Sequence, residues 1–334
     1  RNVSPKPAHP GFNWRWKTKE RRNRTPAELK NRGNTKMVPI KAQALIALLV
    51  ASFASIAASG QEVKQPVSRN AALKVMSFNI RNGKARDGAN HWDKRQQLVV
   101  KTVKNFAPDL LGTQETYQFQ AEFLQQNLPE YSSVGRGRET APEKGEQCTV
   151  FFRRSRFEKL AEGHFWLSPK PEQPGSKGWD AALPRMVTWV KLKDLQAGHS
   201  FVLFNTHFDH RGSKARFESA RLLARKAPKI ADGQPFIITG DFNAGLNSKP
   251  YQAMFTGNES QTKVIDTFKK IIENQDKPQG TFNGFKGTDT GARIDWIGVS
   301  KQFKVLAAEI DKFQINGQYP SDHFPVTATL SFGK

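Results

Sequence analysis

Short apolar runs alternate with amphipathic segments along the chain after residue 71. The runs are too short for buried helices, and turn-forming or polar residues border them, so they are typical of strands. The predicted strands span residues 73–78, 110–113, 150–152, 186–192, 201–205, 236–239, 296–299, 305–310 and 326–332.

Three longer segments have the periodicity of amphipathic helices, at residues 92–106, 117–128 and 213–226. The first two end near Pro108 and Pro129, which cannot continue a helix. In the third, Phe217, Ala220 and Leu223 recur at helical spacing. Strands and helices mixed in this way predict an α/β fold of two sheets packed face to face with helices outside.

A different pattern precedes this region. Met37 is followed by Lys41, by the uncharged run 42–59 and by small residues up to Gly60. Because this order is that of a secretory signal, residues 37–60 are predicted to be a signal peptide. An uncleaved membrane anchor is the alternative. Residues 61–70 then form a polar linker to one domain, predicted at residues 71–334.

Residues 1–36 hold 11 basic and 2 acidic residues and show no apolar periodicity. They are predicted to be a disordered basic stretch. Since a secretory signal stands at the start of its protein, we expect this stretch to be an over-called start. A basic arm that binds nucleic acid is the alternative interpretation.

Composition and charge limit the classes of protein to which the chain can belong. Hydrophobic residues make up 37% of the chain and charged residues 25%, which is typical of a soluble globular protein. From residue 61 onward, 40 basic and 28 acidic residues give a net charge of +12, which favours anionic substrates. The single cysteine, Cys148, excludes an intramolecular disulfide and is predicted to be a buried core thiol.

Candidate chemistry lies in six short blocks, each of which places a carboxylate, amide or imidazole at or just beyond the end of an apolar run. The blocks are Ser77-Phe78-Asn79-Ile80-Arg81, Gln114-Glu115, Asn205-Thr206-His207, Gly240-Asp241-Phe242-Asn243, Arg293-Ile294-Asp295-Trp296 and Ser321-Asp322-His323-Phe324-Pro325. In this order they resemble those of the endonuclease/exonuclease/phosphatase superfamily, in particular its secreted, deoxyribonuclease I-like bacterial members.

The resemblance covers residues 71–332 and implies a four-layer α/β/β/α sandwich in which every block lies around one cleft. It also implies a divalent metal, because a cation neutralises charge on a phosphoryl group under attack. Mg²⁺ prefers oxygen ligands, with Mn²⁺ as the alternative cation. Glu115 is the first predicted ligand, and Asn79 and Asp322 complete or orient the metal shell.

The resemblance also suggests the acid–base groups. Asp241 and Asn243 lie two apart, so in an extended backbone their side chains would leave on the same face. Asp241 is expected to activate or align water and Asn243 to donate to the phosphate. His323 pairs with Asp295 and stabilises developing charge, and His207 donates to the phosphate or leaving group.

Other candidates carry less specific signals. Arg185 precedes a predicted strand and resembles a cationic phosphate contact of the family. Asp209 and His210 follow His207 closely, which leaves open a second site for a transition metal. Trp179 lies in the long loop 168–184 and could stack on a base, a sugar or a lipid headgroup. A second long loop spans residues 135–147.

These observations predict a secreted or periplasmic, Mg²⁺-dependent phosphoester hydrolase. A phosphodiesterase or nuclease is the leading prediction, because the basic balance favours an anionic phosphoester partner such as nucleic acid. A lipid or sugar-phosphate phosphoesterase is the first alternative, and an inactive binding module of the same fold is the second. The protein is expected to be a monomer with no stable membrane span after signal cleavage.

Overall fold

The structure, a computed structural model, describes residues 71–256, 263–272 and 279–333. The predicted basic stretch, signal peptide and linker lie outside the described residues. In the parts that the structure describes, no helix is both long and apolar enough to cross a membrane. The elements in chain order are β1 (Leu73–Asn79), α1 (Trp92–Phe106), β2 (Leu110–Thr116), α2 (Gln118–Asn127), β3 (Tyr131–Val134), β4 (Gln147–Arg153), β5 (Phe157–Trp166), β6 (Met186–Asp194), β7 (Ser200–His207), α3 (Ser213–Ala231), β8 (Phe236–Asp241), α4 (Lys249–Phe255), β9 (Val264–Asp266), α5 (Thr267–Ile271), β10 (Asp295–Ser300), β11 (Phe303–Ile310) and β12 (Val326–Phe332).

The strands form two six-stranded mixed sheets. Their spatial orders are β11-β12-β1-β2-β4-β3 and β5-β6-β7-β8-β10-β9. In each sheet one central pair is parallel, β1 with β2 and β7 with β8, while the other neighbours are antiparallel. Because parallel strands end at the same edge, the last residues of these four strands can meet there.

Three buried clusters define the layers. The first cluster joins apolar side chains from the inner faces of both sheets, such as Val75 and Leu203. The second packs α3 and α4 on the outer face of one sheet, and the third packs α1 and α2 on the outer face of the other. This arrangement confirms the predicted α/β/β/α sandwich.

A layer of buried polar groups joins the two sheets below the edge where β2 and β7 end. Gln114 Nε2 donates to Asn205 Oδ1 at 2.7 Å, and Asn205 Nδ2 donates to the carbonyl oxygens of Thr113 and Thr149 at 2.8 and 3.0 Å. A Cβ atom at Gly112 would collide with Asn205. Glycine at this position therefore lets the sheets approach closely enough for these hydrogen bonds.

The apolar pattern predicted most of the elements. The predicted bounds of α1 and β12 are those observed, and α3 extends five residues beyond its predicted end, through Pro228, because Ala227 and Ala231 remain buried against the sheet. The apolar pattern did not predict β3, β5, α4, β9 and α5. Most of β5 is exposed and polar, so it contains no apolar run, and the others are short. Cys148 is buried, as predicted for a core thiol.

A buried ion-pair cluster joins the sheets at the opposite edge. The Arg156 guanidinium donates to Asp194 Oδ2 at 2.8 and 3.1 Å and to Asp109 Oδ2 at 2.8 Å. Arg156→Met is expected to lower the free energy of unfolding by about 3–5 kcal/mol, because it leaves Asp194 buried without its cation. Urea unfolding would measure the change.

The exposed neighbour Arg154 supplies a matched control for this prediction. Arg154→Met is expected to change the free energy of unfolding by less than about 0.5 kcal/mol. Equal effects of the two substitutions would contradict the assignment of Arg156 as the bridge between the sheets.

Candidate active site

The strand ends bring the six sequence blocks to one edge of the sandwich. Asn79 ends β1, and Glu115 lies near the end of β2. His207 ends β7 and pairs with Asp241, the last residue of β8, which also pairs with Asp295 at the start of β10. His323 precedes β12, which runs antiparallel to β1.

Backbone strain is concentrated at this edge. Arg81, Glu115 and Asn243 have φ angles of 59°, 58° and 48°, in the left-handed region that non-glycine residues rarely adopt. At Glu115 the strain coincides with an irregular register between β2 and β4, after Thr113. Strained residues of this kind are typical of functional sites, where the surrounding structure holds a side chain in a particular direction.

Three side chains that could bind a metal ion lie close together at this edge of the sandwich. One potential ligand atom each from Glu115, His207 and Asp241 lies within 4.8 Å of the others. Asn79 Nδ2 donates to Glu115 Oε1 at 3.1 Å and to Asp241 Oδ2 at 2.9 Å. Since Asn79 Oδ1 already accepts the Arg81 main-chain N–H at 3.0 Å, Asn79 orients the two carboxylates in this arrangement.

The pKa values of the Asp241 and Glu115 carboxylates are shifted in opposite directions. Burial and the adjacent Asp295 carboxylate raise the pKa of Asp241 to about 7. Burial also opposes ionisation of Glu115, but the His323 charge and the Asn82 main-chain N–H lower the pKa of Glu115 below its ordinary value. A divalent cation would relieve the unfavourable burial of negative charge at Asp241, and carboxylate oxygens suit Mg²⁺. The donor set therefore fits a divalent metal.

Asp322 lines the same cavity but faces a cation. Its Oδ2 atom lies 3.4 Å from Arg81 Nη1, and burial raises its pKa. Arg81 also donates to both carboxylate oxygens of Asp87 at 2.9 and 3.0 Å. Among the described residues, Asp322 belongs to neither compact group of potential metal ligands. The role of Asp322 in completing or orienting the metal shell therefore stays a prediction.

His323 is held by Asp295. His323 Nδ1 lies 2.9 Å from Asp295 Oδ2, and His323 Nε2 lies 3.8 Å from Asp241 Oδ2. Burial would lower the pKa of His323, but the Asp295 and Asp241 carboxylates outweigh burial and raise this pKa well above its ordinary value. The pair therefore presents a fixed cationic imidazole.

His207 differs from His323 in charge. Burial and the nearby Arg185 guanidinium hold the pKa of His207 well below its ordinary value, so its imidazole is neutral. Its Nε2 atom lies 3.0 Å from Asn243 Nδ2 and 3.4 Å from Asp241 Oδ2. The two histidines thus provide one neutral and one cationic ring.

The expectation that Asp241 and Asn243 share a face of extended backbone is wrong. The main-chain N–H of Asn243 donates to Asp241 Oδ1 at 2.9 Å, and Asn243 has a left-handed backbone. A turn closed by the aspartate side chain, rather than strand geometry, therefore brings the two residues together. The predicted proximity holds, but its physical cause is different.

Arg185 is the main buried cation of the cavity. It is only 4% exposed, and its Nε and Nη1 atoms have no hydrogen-bond partner. Nη2 lies 3.0 Å from His210 Nδ1, and Nε lies 3.6 Å from Asp209 Oδ2. Buried N–H donors without partners are uncommon, and they fit an anionic group in the cavity.

The geometry gives no support to the alternative of a transition-metal site at Asp209 and His210. The Asp209 carboxylate accepts four main-chain N–H groups at 2.7–3.3 Å, and these hydrogen bonds, together with Arg185, overcome burial and lower its pKa to about 2. These contacts occupy Asp209 as an anchor between loop 168–184 and the start of α3. Within the described ranges, it belongs to no compact group of potential metal ligands.

The site residues line a cavity of about 550 Å³. Trp179 does not line it, so its predicted stacking role gains no support. Four further residues that line the cavity were not predicted from the sequence, namely Arg81, Asn82, Glu146 and Phe282. Arg81 could have been identified, because it belongs to the same block as Asn79. The other three residues lie in loops, where the sequence has no apolar periodicity.

Known proteins resemble this chain in sequence and fold. A family model described as Endonuclease/Exonuclease/phosphatase family matches residues 76–323. Human nocturnin is 22% identical over 303 residues, which cover 79% of this chain and 66% of nocturnin. Its solved catalytic domain, at 20% identity and a TM-score of 0.63, shares the fold.

Two bacterial structures are more similar in sequence. An endonuclease/exonuclease/phosphatase from Bacteroides vulgatus is 33% identical with a TM-score of 0.72, covering 78% of this chain and 99% of that one. The mannosyl-6-phosphatase of Bacteroides thetaiotaomicron is 36% identical with a TM-score of 0.71, covering 78% and 100%. The chain therefore belongs to the endonuclease/exonuclease/phosphatase family, whose members are hydrolases that act on phosphoester bonds.

Proposed function

We propose that this protein is an exported, Mg²⁺-dependent phosphoesterase that acts on a small phosphate monoester, with Mn²⁺ as an alternative cation. One observation carries the proposal. The buried guanidinium of Arg185, two of whose nitrogens have no hydrogen-bond partner, lines the same cavity as the Glu115, Asp241 and His323 side chains. An anion-binding guanidinium beside acidic and imidazole groups is the combination that phosphoryl transfer to water requires.

The residue that would hold the metal is Glu115, whose carboxylate Asn79 orients beside that of Asp241. When bound, the cation would supply charge neutralisation at the phosphoryl group. The side chains of the protein then have to bind the phosphate, position the water and move protons.

Phosphate binding is assigned to three side chains. Arg185 offers a buried guanidinium, a group suited to phosphate, and its Nε and Nη1 atoms have no hydrogen-bond partner. Asn243 Nδ2 donates to Phe208 O at 3.1 Å and lies 3.0 Å from His207 Nε2, so binding phosphate would exchange one of these contacts. Cationic His323 faces the charge that develops at phosphorus. Because Asp295 fixes the His323 ring, the imidazole needs little reorganisation during the reaction.

Proton transfer is assigned to Asp241. With a pKa of about 7, its carboxylate can accept a proton from water near neutral pH. The water oxygen forms a bond to phosphorus while the bond from phosphorus to the ester oxygen breaks. The proton held by Asp241 returns to the alcohol product, so the overall reaction consumes one water and yields phosphate and an alcohol.

The size of the cavity supports a small substrate. A volume of about 550 Å³ lies in the range of small-molecule sites. The 36% identity to a mannosyl-6-phosphatase supports a sugar phosphate within that class. Nuclease or other phosphodiesterase activity remains the alternative, favoured by the excess of basic residues.

A substrate panel tests the proposal. With added Mg²⁺, the purified protein is expected to release phosphate from p-nitrophenyl phosphate and from hexose 6-phosphates faster than it cleaves bis(p-nitrophenyl) phosphate, DNA or RNA. Preferential cleavage of the diesters would favour the nuclease alternative. Inactivity on the whole panel would favour a binding module of the same fold.

Export and a monomeric state are further parts of the proposal. The order of basic residue, apolar run and small residues at 37–60 supports signal cleavage near residue 61. N-terminal sequencing of the protein recovered from its host tests this directly. Recovery of a cytoplasmic chain that retains residues 1–36 would contradict export. A mass measured in solution that exceeds one chain would contradict the monomer.

A further inference from the structure

Glu146 is a cavity-lining carboxylate that the proposed hydrolysis does not use. It is the last residue before β4, in the long loop 135–147, and its side chain is 12% exposed. It lines the same cavity as Arg185 and His207. Burial raises the pKa of Glu146, and a charged group is kept in such a place only where partners or a ligand compensate for lost water.

Two side chains hold the Glu146 carboxylate in one orientation. Asn82 Nδ2 donates to Oε1 at 3.0 Å, and Arg138 Nη1 donates to Oε2 at 2.5 Å. Because a carboxylate oxygen can accept two hydrogen bonds, each oxygen keeps the capacity for one more donor. The cavity therefore contains a fixed acceptor that is not saturated by the protein.

Asn82 connects this acceptor to the reaction centre. Its main-chain N–H donates to Glu115 Oε2 at 2.9 Å, while its side chain donates to Glu146. One residue thus fixes the position of Glu146 relative to the metal-ligand group. A substrate whose phosphate lies at that group would place its alcohol portion within the same cavity, which Glu146 also lines.

An apolar surface completes the cavity wall. Phe282 is 50% exposed, and its ring meets the His323 ring edge to face, with centroids 5.3 Å apart. The exposed part of Phe282 borders the cavity. A wall with one aromatic surface and one fixed acceptor suits a ligand that presents both C–H groups and hydroxyl groups.

We infer that Glu146 accepts hydrogen bonds from hydroxyl groups of the substrate alcohol, whose C–H surface packs on Phe282, and that this selects sugar phosphates. The inference rests on the proposed phosphoesterase function and specifies its substrate class. The carboxylate would also repel a second phosphate on the substrate, which disfavours nucleotides with several phosphates and nucleic acids.

The test compares substrates with and without hydroxyl groups. We would measure kcat/KM for glucose 6-phosphate, its 2-, 3- and 4-deoxy analogues and p-nitrophenyl phosphate. The wild-type protein, Glu146→Gln and the control Glu143→Gln would be compared; Glu143 is exposed in the same loop and does not line the cavity. Loss of a hydrogen bond to a charged group is expected to cost about tenfold to a hundredfold.

The expected result has two parts. In Glu146→Gln, the ratio of kcat/KM for glucose 6-phosphate to that for p-nitrophenyl phosphate falls by at least about tenfold, whereas Glu143→Gln keeps the wild-type ratio. In the wild type, at least one deoxy analogue loses a similar factor. That loss disappears in Glu146→Gln, because the acceptor for the missing hydroxyl has already been weakened.

An unchanged ratio in Glu146→Gln would overturn the inference. So would a parallel fall for both substrates, which would show that Glu146 acts only through Asn82 on Glu115. If Glu146→Gln does not fold, kcat/KM of the wild-type protein for glucose 6-phosphate and its deoxy analogues tests the inference. Equal values for all of these substrates would overturn it. Wild-type inactivity on every phosphomonoester would instead refute the proposed function itself.

Discussion

Asp241→Asn is expected to lower kcat by at least about a hundredfold on any phosphoester that the protein hydrolyses. The substitution keeps the shape of the side chain but removes the negative charge and the proton acceptor. It also replaces an oxygen acceptor of Asn79 Nδ2 by an amide that can present a donor there. Steady-state kinetics with a chromogenic ester would measure the change, together with thermal unfolding to confirm that the fold persists.

A matched control separates catalysis from a general effect of the substitution. Asp232 is exposed and caps the end of α3 in a left-handed conformation that asparagine also adopts. Asp232→Asn is therefore expected to keep wild-type kcat. A rate for Asp241→Asn within a few-fold of the wild-type rate would mean that the proton acceptor is another residue.

His323→Ala is expected to lower kcat by at least about a hundredfold, because it removes the cation that faces the phosphoryl group. Asp295→Asn removes the partner that fixes the ring and supports its charge. If the two residues act as a unit, the double variant is expected to be no slower than His323→Ala alone. Kinetics of the three variants would complete the double-mutant cycle.

His199 provides the control for this second prediction. It is exposed, and it lies in the turn before β7, at the end of that strand remote from His207. His199→Ala is expected to leave kcat unchanged. Additive losses in the His323 and Asp295 cycle would contradict the assignment of the two residues as a coupled pair.

The sequence predicted which side chains meet at one edge where strand ends determine their positions. Asn79, His207 and Asp241 all end apolar strands, and a parallel pair delivers its two C-terminal ends to the same edge. Side chains from distant parts of the chain therefore meet without any special loop conformation. The sandwich followed from the same pattern, because two apolar sheet faces bury each other.

The remainder of the site depends on geometry that local sequence does not encode. The turn at Asn243 and the left-handed backbone at Glu115 are tertiary features, held by hydrogen bonds from other strands and turns. Glu146 and Phe282 reach the cavity from loops whose path is set by packing, not by periodicity. Arg185 gains its importance through burial that leaves its Nε and Nη1 atoms without hydrogen-bond partners, which its sequence neighbours do not indicate.

The central claim is that a divalent metal held near Glu115 and Asp241 supports hydrolysis of a phosphoester. The most direct measurement is the rate of p-nitrophenyl phosphate hydrolysis by metal-free protein, with Mg²⁺ added and with EDTA. We expect background rates in EDTA, full recovery with excess Mg²⁺, and a higher Mg²⁺ requirement in Glu115→Gln. An undiminished rate in metal-free protein with EDTA would contradict the dependence on a metal.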